Sequence, residues 1–308
     1  MSSIVVVGSC MIDSTSFSER LPKPGETIAG TRFDKTFGGK GANQCVAAAK
    51  LGATTSLIAA LGNDASGREY INQLEKYKIN SEHVKLVPDV SSGSAQIMVA
   101  ENGENMIVIV KGANDYLTSD DVNKARQTIK NASVLITQFE SSLDATLEAL
   151  KLHKGHGTSI LNGAPALANP GREILESCDI FCVNETEAQI MTGIEPLNLI
   201  NAQDALDKLF IQGCKIVIIT LGGTGSVFAT RKQQKMIHIP VEIVKPIDTT
   251  GAGDAFLGAL AYFLCYHEKL SLEEKIIRAS KIATESVLKI GTQSSFPTKN
   301  ELPQELFL

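Results

Sequence analysis

The sequence predicts a doubly wound α/β fold: a mostly parallel sheet flanked by helices, with a small β-lid. Short β-branched runs alternate with helical stretches along most of the chain, the pattern of a parallel sheet covered on both faces. Two β-prone stretches interrupt that alternation. Glycine-rich turns stand directly before two of the helices, at Gly38–Gly39 and at Gly251–Gly253.

The elements follow in chain order. "SIVVVGS" (3–9) is a buried strand ending in glycine, and "GGKGANQCVAAAKLGA" (38–53) is an alanine-rich helix entered through turn residues and closed by Gly52. "TSLIAALG" is a strand. "SGREYINQLEKYKI" is a helix with Tyr70, Ile71, Leu74 and Tyr77 on one face. "TSFSERLPKPGETIAGTRFDKTF" (15–37) and "SGSAQIMVAENGENMIVIVKGAN" (92–114) break the rhythm, the second as a hairpin around "ENGEN". They place a lid in insertions at about 14–37 and 92–113 of a single 1–308 domain. Alternation resumes with the strands "SVLITQF", "TSILNGA", "DIFCVN" and "KIVIITLGG", and an antiparallel edge pair, "GSVFAT" and "KMIHIPV", comes next. Two long helices, "GDAFLGALAYFLCY" and "LEEKIIRASKIATESVLKIG", close the fold.

Composition narrows the function. The 308 residues are 43% hydrophobic and 20% charged, with a net charge of −5, enough for a large core and a poor match to nucleic acid or an anionic membrane. The first apolar run, Ile4 to Val7, is too short for a signal or membrane helix. The expectation is a cytoplasmic protein, with the nucleus allowed. Six scattered cysteines give no disulfide framework, and Cys178 and Cys182 lack a neighbouring pair or histidine to complete a zinc site.

"IDTTGAGDAFLGALA" (247–261) carries the chemistry. Gly251 and Gly253 let backbone N–H groups approach an anion, and the helix start adds partial positive charge. Asp254, itself negative, fits there as a base aimed at a hydroxyl beside a transferring phosphoryl group. The alternative is an ordinary first-turn aspartate satisfied by the dipole, and on either reading the helix end lowers its pKa. A Rossmann fingerprint fails, since Phe256 occupies its last glycine slot; a P-loop fails at Gly41.

"GGKGANQCVAAAKLGA" and "DTTGAGDAFLGAL" together resemble the two signatures of the phosphofructokinase-B (PfkB) carbohydrate kinase family. "GSCMID", "PKPGET", "NETEAQIMTG", "ITLGGTGS" and "GTQSSFP" follow in the family's order from Gly8 to Pro297, and are similar to its D-ribose-phosphorylating branch. The resemblance implies ATP-dependent phosphorylation of the 5-hydroxyl of D-ribose, with Mg2+ and an activating K+, a closing lid and a homodimer formed through it. It implies a sugar site of Asp13, Gly39, Lys40, Asn43 and Glu140, with Asp254 as base and Gly251, Ala252 and Gly253 as anion hole. ATP falls to Asn184, Thr220, Gly222, Gly225, Gly253 and Ser280, and magnesium, through water, to Glu187. Potassium falls to Asp248, Thr250, Ser286, Lys289, Gly291 and Ser295. Bacterial members of the branch carry asparagine where Met11 stands, so one polar sugar contact is missing or replaced. Sister branches acting on fructose or adenosine would share the chemistry and differ in the pocket, shaped here by Met11, Ala95, Ile97 and Ile109. A silent sugar-binding relative would have lost the base, the glycines or the magnesium residues, and all are present.

Overall fold

The computed structural model describes residues 2–308. Its larger sheet has nine strands: β1 (Ile4–Val7), β4 (Thr55–Gly62), β5 (Asn80–Val87), β8 (Val134–Thr137), β9 (Thr158–Asn162), β10 (Ile180–Asn184), β11 (Ile216–Thr220), β12 (Ser226–Thr230) and β13 (Ile237–Ile239). Their spatial order is β13-β12-β11-β10-β9-β8-β1-β4-β5, parallel except for the β11–β12 and β12–β13 pairs. From β1 the chain builds outward to β4 and β5, then returns to β8 on the other side of β1 and builds the opposite way. The order reverses between β1 and β8, and beyond the carboxyl ends of strands at such a reversal a doubly wound sheet has its crevice.

β1 shows why a continuous apolar run suits this position. Ile4 and Val6 pack into the core on one face, Val5 and Val7 into the core on the other. The first core takes α1 (Lys40–Lys50), α2 (Ala65–Lys76), α9 (Ala252–Tyr266) and α10 (Leu272–Ser286). The second is covered by α3 (Ser119–Lys124), α4 (Arg126–Asn131), α5 (Leu143–His153), α6 (Arg172–Ser177), α7 (Glu185–Thr192) and α8 (Ala202–Gln212). All six cysteines are buried free thiols, and among the described residues no helix is long and apolar enough to cross a membrane.

A separate four-stranded sheet, β3-β2-β6-β7, is built largely from the two stretches that break the alternation, although its first strand starts at Met11, ahead of the expected boundary near residue 14: β2 (Met11–Ser18), β3 (Arg32–Gly38), β6 (Gly93–Ala100) and β7 (Asn105–Val110). Asp13 pairs with Ala95, and Ala95 with Ile109, so these three side chains lie in one row across the sheet. β7 is exposed along its whole length.

The structure differs from the sequence reading at two places. β5 joins the large sheet at its edge, although "NSEHVKLV" has no sustained apolar run; half-exposed edge strands rarely do. The last long helix stops at Ser286 rather than running to Gly291: the Val287 carbonyl accepts from the N–H groups of Ile247 and Asp248 instead of from a following helical turn, and Gly291, at a left-handed φ of 95°, donates to Asp248. The carboxyl terminus docks: Leu302 and Leu306 join the core, and Arg278 donates to the carbonyls of Leu306 and Leu308.

Candidate active site

α1 and α9 bring the two glycine-rich stretches together. Gly258 of α9 touches α1 so closely that a Cβ there would lie 2.5 Å from that of Ala47. At the head of α1, Gly39 has φ 90°, and a Cβ on it would lie 2.7 Å from the Met11 nitrogen, so only glycine seats this helix against the end of β1. Asp13 packs on Gly38 from the adjoining strand. Glu140, just beyond β8, accepts from the Lys40 backbone N–H at 2.9 Å and from the Ser9 hydroxyl, which answers how a carboxylate is held after a buried strand.

At the head of α9, Gly251 adopts φ 79° and forms the N-cap. A Cβ there would strike Thr292 at 2.6 Å, whereas a Cβ on Gly253 would meet nothing within 4 Å. Gly253 therefore turns its bare Cα to open space. That space is a cavity of about 150 Å3 lined by Lys40, Asn162, Asn184, Glu187, Thr220, Gly251, Ala252, Gly253 and Asp254. A second, mostly apolar cavity of about 270 Å3 adjoins it, lined by Thr220, Gly222, Gly225, Val241, Ile243, Val244, Phe256 and Ser280; Thr220, Thr249, Ala252, Gly253 and Phe256 line both.

Asp254 is buried, and its carboxylate accepts from Asn43 Nδ2 and Gln44 Nε2, both at 2.9 Å. Asn184 and Glu187 form a reciprocal capping box on α7: Asn184 Oδ1 accepts from the Glu187 N–H and Glu187 Oε2 from the Asn184 N–H, each at 2.8 Å. Asp248 ties two loops, its oxygens accepting from the N–H groups of Thr250 and Gly291, each at 2.9 Å. Ser286 and Ser295 are buried close by in sequence, their hydroxyls bonded to the carbonyls of Ala283 and Thr292. The Lys289 side chain turns to Glu301, its ammonium 2.9 Å away, and the part implied for Lys289 belongs to its backbone carbonyl. Of these two cavities Ser280 lines only the apolar one, and Asp13, Gly39, Asn43 and Glu140 line neither.

This constellation runs over the same span as a family pattern. Residues 1–299 match the model of the pfkB family carbohydrate kinases. The chain belongs to the PfkB family of carbohydrate kinases. Among relatives, a mouse ribokinase is 47% identical over 99% of this chain and 94% of its own length. A Salmonella typhi deoxyribokinase is 37% identical over 99% of both chains. An Arabidopsis thaliana ribokinase structure, solved with ribose and ATP, superposes with a TM-score of 0.89 at 31% identity, covering 100% of both chains. The protein is thus a sugar kinase of the ribokinase type in fold and family.

The electrostatics of this PfkB site correct one expectation. The helix end was expected to lower the Asp254 pKa, but burial pushes its carboxyl up, and Lys40, Asn43 and Gln44 offset only part of that. Burial also draws the Lys40 ammonium down, yet the carboxylates of Asp254, Glu140 and Glu187 outweigh it and hold the charge in place. Glu187 is raised by burial, against the Asn184 N–H that favours its ionised form. Burial works against ionised Asp248, but the N–H groups of Gly291 and Thr250 win and keep it below the usual range.

Asp13 is pushed up to about 6, by burial first and then by Glu140 and Asp254. A raised carboxyl means the folded state binds this proton more tightly than the unfolded one. Asp13 therefore costs stability above pH 6, and that cost fades as pH falls from about 6 toward 3.8. Asp13→Asn is expected to stabilise the free protein at pH 7.5, on the order of 1–2 kcal/mol since the group is partly exposed, while raising the KM for sugar. Thermal melts at pH 5 and 7.5 check it: an equal effect at both pH values removes Asp13 as the source.

The donor sets can be tested against the metals the family implies. Around Asp248 every candidate donor is oxygen, from a carboxylate, hydroxyls and the 286–291 carbonyls, which suits a hard cation. Both Glu187 oxygens accept from Asn184, Oε2 from its N–H at 2.8 Å and Oε1 from its Nδ2 at 3.1 Å, while the residue lines the cavity, a fit to magnesium held through water rather than directly. Among the described residues no group of three or more His, Cys, Asp or Glu converges as a metal cluster.

Sequence reading missed the polar side chains behind Asp254: Gln44, Gln138, Asn162, Tyr70 and Gln293, together with Ser9 beneath Glu140. Only Gln44 left a trace, as a polar residue on the buried face of an alanine-rich helix.

Proposed function

We propose that the protein phosphorylates D-ribose on its 5-hydroxyl with ATP as donor. What carries this reading is the continuity of the two cavities through Gly253, with Asp254 at the inner end and an apolar chamber for a base at the outer. The adenine would lie among Val241, Ile243, Val244 and Ser280, with Thr220, Gly222 and Gly225 along the phosphates and ribose of ATP. The γ-phosphoryl would rest on the N–H groups of Ala252 and Gly253, beside Lys40 and the α9 dipole. Asp13, Gly39, Asn43 and Glu140 would hold the sugar hydroxyls. As the sugar oxygen bonds to the γ-phosphorus, its proton passes to Asp254 and the bond to the ADP oxygen breaks. Magnesium, placed with help from Asn184 and Glu187, would neutralise the phosphate charge.

The small sheet acts in this reading as the lid of a single kinase domain, closing over the sugar to exclude water. Its edge strand β7 exposes Met106, Ile107, Val108, Ile109 and Val110, a hydrophobic edge that supports a homodimer through the lid.

A coupled ADP-release assay with Mg-ATP and a panel of D-ribose, 2-deoxyribose, fructose and adenosine tests the substrate. Preference for ribose is expected; preference for fructose or adenosine overturns it. A second reading, 2-deoxyribose, has an observation in its favour. Met11 lies two residues before Asp13 on β2, on the same face, and is buried with its sulfur 3.6 Å from Asn114 Nδ2. An apolar side chain there suits a sugar lacking a hydroxyl, and a deoxyribokinase is among the relatives.

A monovalent cation bound between the Asp248–Thr250 and Ser286–Ser295 segments would steady the loop that bears Gly251. Turnover is expected to be several-fold higher in potassium than in sodium, and Asp248→Ala to erase the difference. Equal rates in both salts for the unaltered enzyme would remove the site.

A further inference from the structure

Behind Asp254 lie two chains of buried amides. Asn43 Nδ2 donates to Asp254 Oδ2 at 2.9 Å; Asn43 Oδ1 in turn accepts from Gln293 Nε2 at 3.0 Å. Gln293 Nε2 also donates to the Tyr70 hydroxyl at 3.0 Å, and that hydroxyl donates to the Gly38 carbonyl. On the other side Gln44 Nε2 donates to Asp254 Oδ1 at 2.9 Å and to Asn162 Oδ1 at 3.2 Å, while Gln44 Oε1 accepts from Gln138 at 2.7 Å. Asn162 Nδ2 ends that chain on the Cys182 carbonyl at 3.2 Å.

A side-chain amide can present either end to a neighbour, and a carboxylate accepts only. Here the choice is imposed from both ends. Asp254 demands donors, and the runs through Tyr70 and Asn162 end on main-chain carbonyls, which also demand a donor and cannot turn over; the side branch through Gln138 ends on its own unpartnered Oε1. Between such ends every amide has one allowed orientation. The remaining Oε1 of Gln293 is buried with no partner, a cost sustained for the bonds its nitrogen makes.

We propose that Gln293 is a positioning residue for phosphoryl transfer: it holds Asn43 so that the amide N–H, not the carbonyl, faces Asp254. The inference rests on Asp254 being the base. Gln293 reaches this point from the segment after α10, far from both glycine-rich stretches in sequence, and touches no reacting atom.

The decisive comparison is Gln293→Glu against Gln293→Leu. The glutamate is isosteric but has no N–H to give. Asn43 would turn its NH2 toward the new carboxylate and its carbonyl toward Asp254, setting two acceptors face to face. Leucine removes the hold without reversing it. Gln293→Glu is expected to lower kcat on the order of 10²-fold and Gln293→Leu about tenfold, a misplaced base being the cause in both. The KM for ATP should stay within about twofold, since no ATP-contacting group moves. Burying a glutamate is costly on its own account, so the uncharged Gln293→Leu, close to glutamine in volume, is the variant that separates positioning from packing.

The acid limb of kcat adds a readout that packing would not move. In Gln293→Leu the base loses an aligned donor, its carboxyl rises further, and the limb shifts to higher pH. The other charged groups around Asp254, namely Lys40, Asp13, Glu140 and Glu187, are unaltered. Asp254→Asn is measured alongside. If that variant is dead while Gln293→Glu turns over like the unaltered enzyme, the positioning role fails and the base stands. If Asp254→Asn remains active, the base reading fails and takes the positioning role with it. Should Gln293→Glu not fold, Gln293→Leu decides alone: an unshifted limb and unchanged kcat overturn the proposal.

Discussion

Asp254→Asn is expected to lower kcat by about 10³-fold, within the range that a positioned base contributes, while the protein still folds and binds sugar. The substitution keeps shape and removes charge. Two effects on stability oppose each other. Relief of a buried carboxylate favours the variant, since burial is what raises the Asp254 pKa. Against this, the new amide can accept on one side only, so Asn43 or Gln44 meets a donor where it had an acceptor. The melting temperature should therefore move little. Isothermal titration with ribose and a single-turnover assay separate the outcomes: retained sugar affinity with lost transfer supports the base, and retained transfer removes it. In the unaltered enzyme, kcat should fall with acid through a limb above the usual carboxylate range. Only the ionised form can take the proton, and burial makes that form harder to reach.

Much of the fold was legible because it is written in local periodicity. β1, β4, β8 and β11 are short apolar runs, and the Gly-rich heads of α1 and α9 mark helix starts that approach a neighbour closely. β5 was not legible, because an edge strand needs apolar residues on neither face consistently. Short α3 and α4 offered too few residues to show a period. At the site, the residues in glycine-rich motifs could be named from sequence, since tight turns constrain composition. Gln293, Tyr70 and Gln138 could not. A buried amide has no local signature, and what makes it polar-satisfied is a partner as many as 250 residues away. The sign of the Asp254 shift failed for the same reason. The helix dipole is a local feature of "GAGD", but burial under α1 is a tertiary one, and it is the larger influence.

Gly253→Ala carries the second large expected effect, and its sign differs between stability and activity. Gly253 is the second residue of α9, with nothing within 4 Å of a Cβ built on it. Alanine in that helical position relieves the entropic cost of glycine, so the free protein should be as stable or more so, by up to about 1 kcal/mol. The open space, however, is where the γ-phosphoryl would sit against the Ala252 and Gly253 N–H groups. A methyl group there pushes the phosphoryl off its donors, and kcat/KM for ATP is expected to fall on the order of 10²-fold. Gly251→Ala is the contrasting variant. Its φ of 79° resists a side chain, and the new Cβ would lie 2.6 Å from Thr292 and 3.1 Å from Phe296, so it should lose stability as well as activity. Melting curves with steady-state kinetics on the pair distinguish room kept for a ligand from room demanded by packing. Full activity in Gly253→Ala would mean that the space over α9 is not the phosphate site, and the path from the apolar cavity to Asp254 would have to run elsewhere.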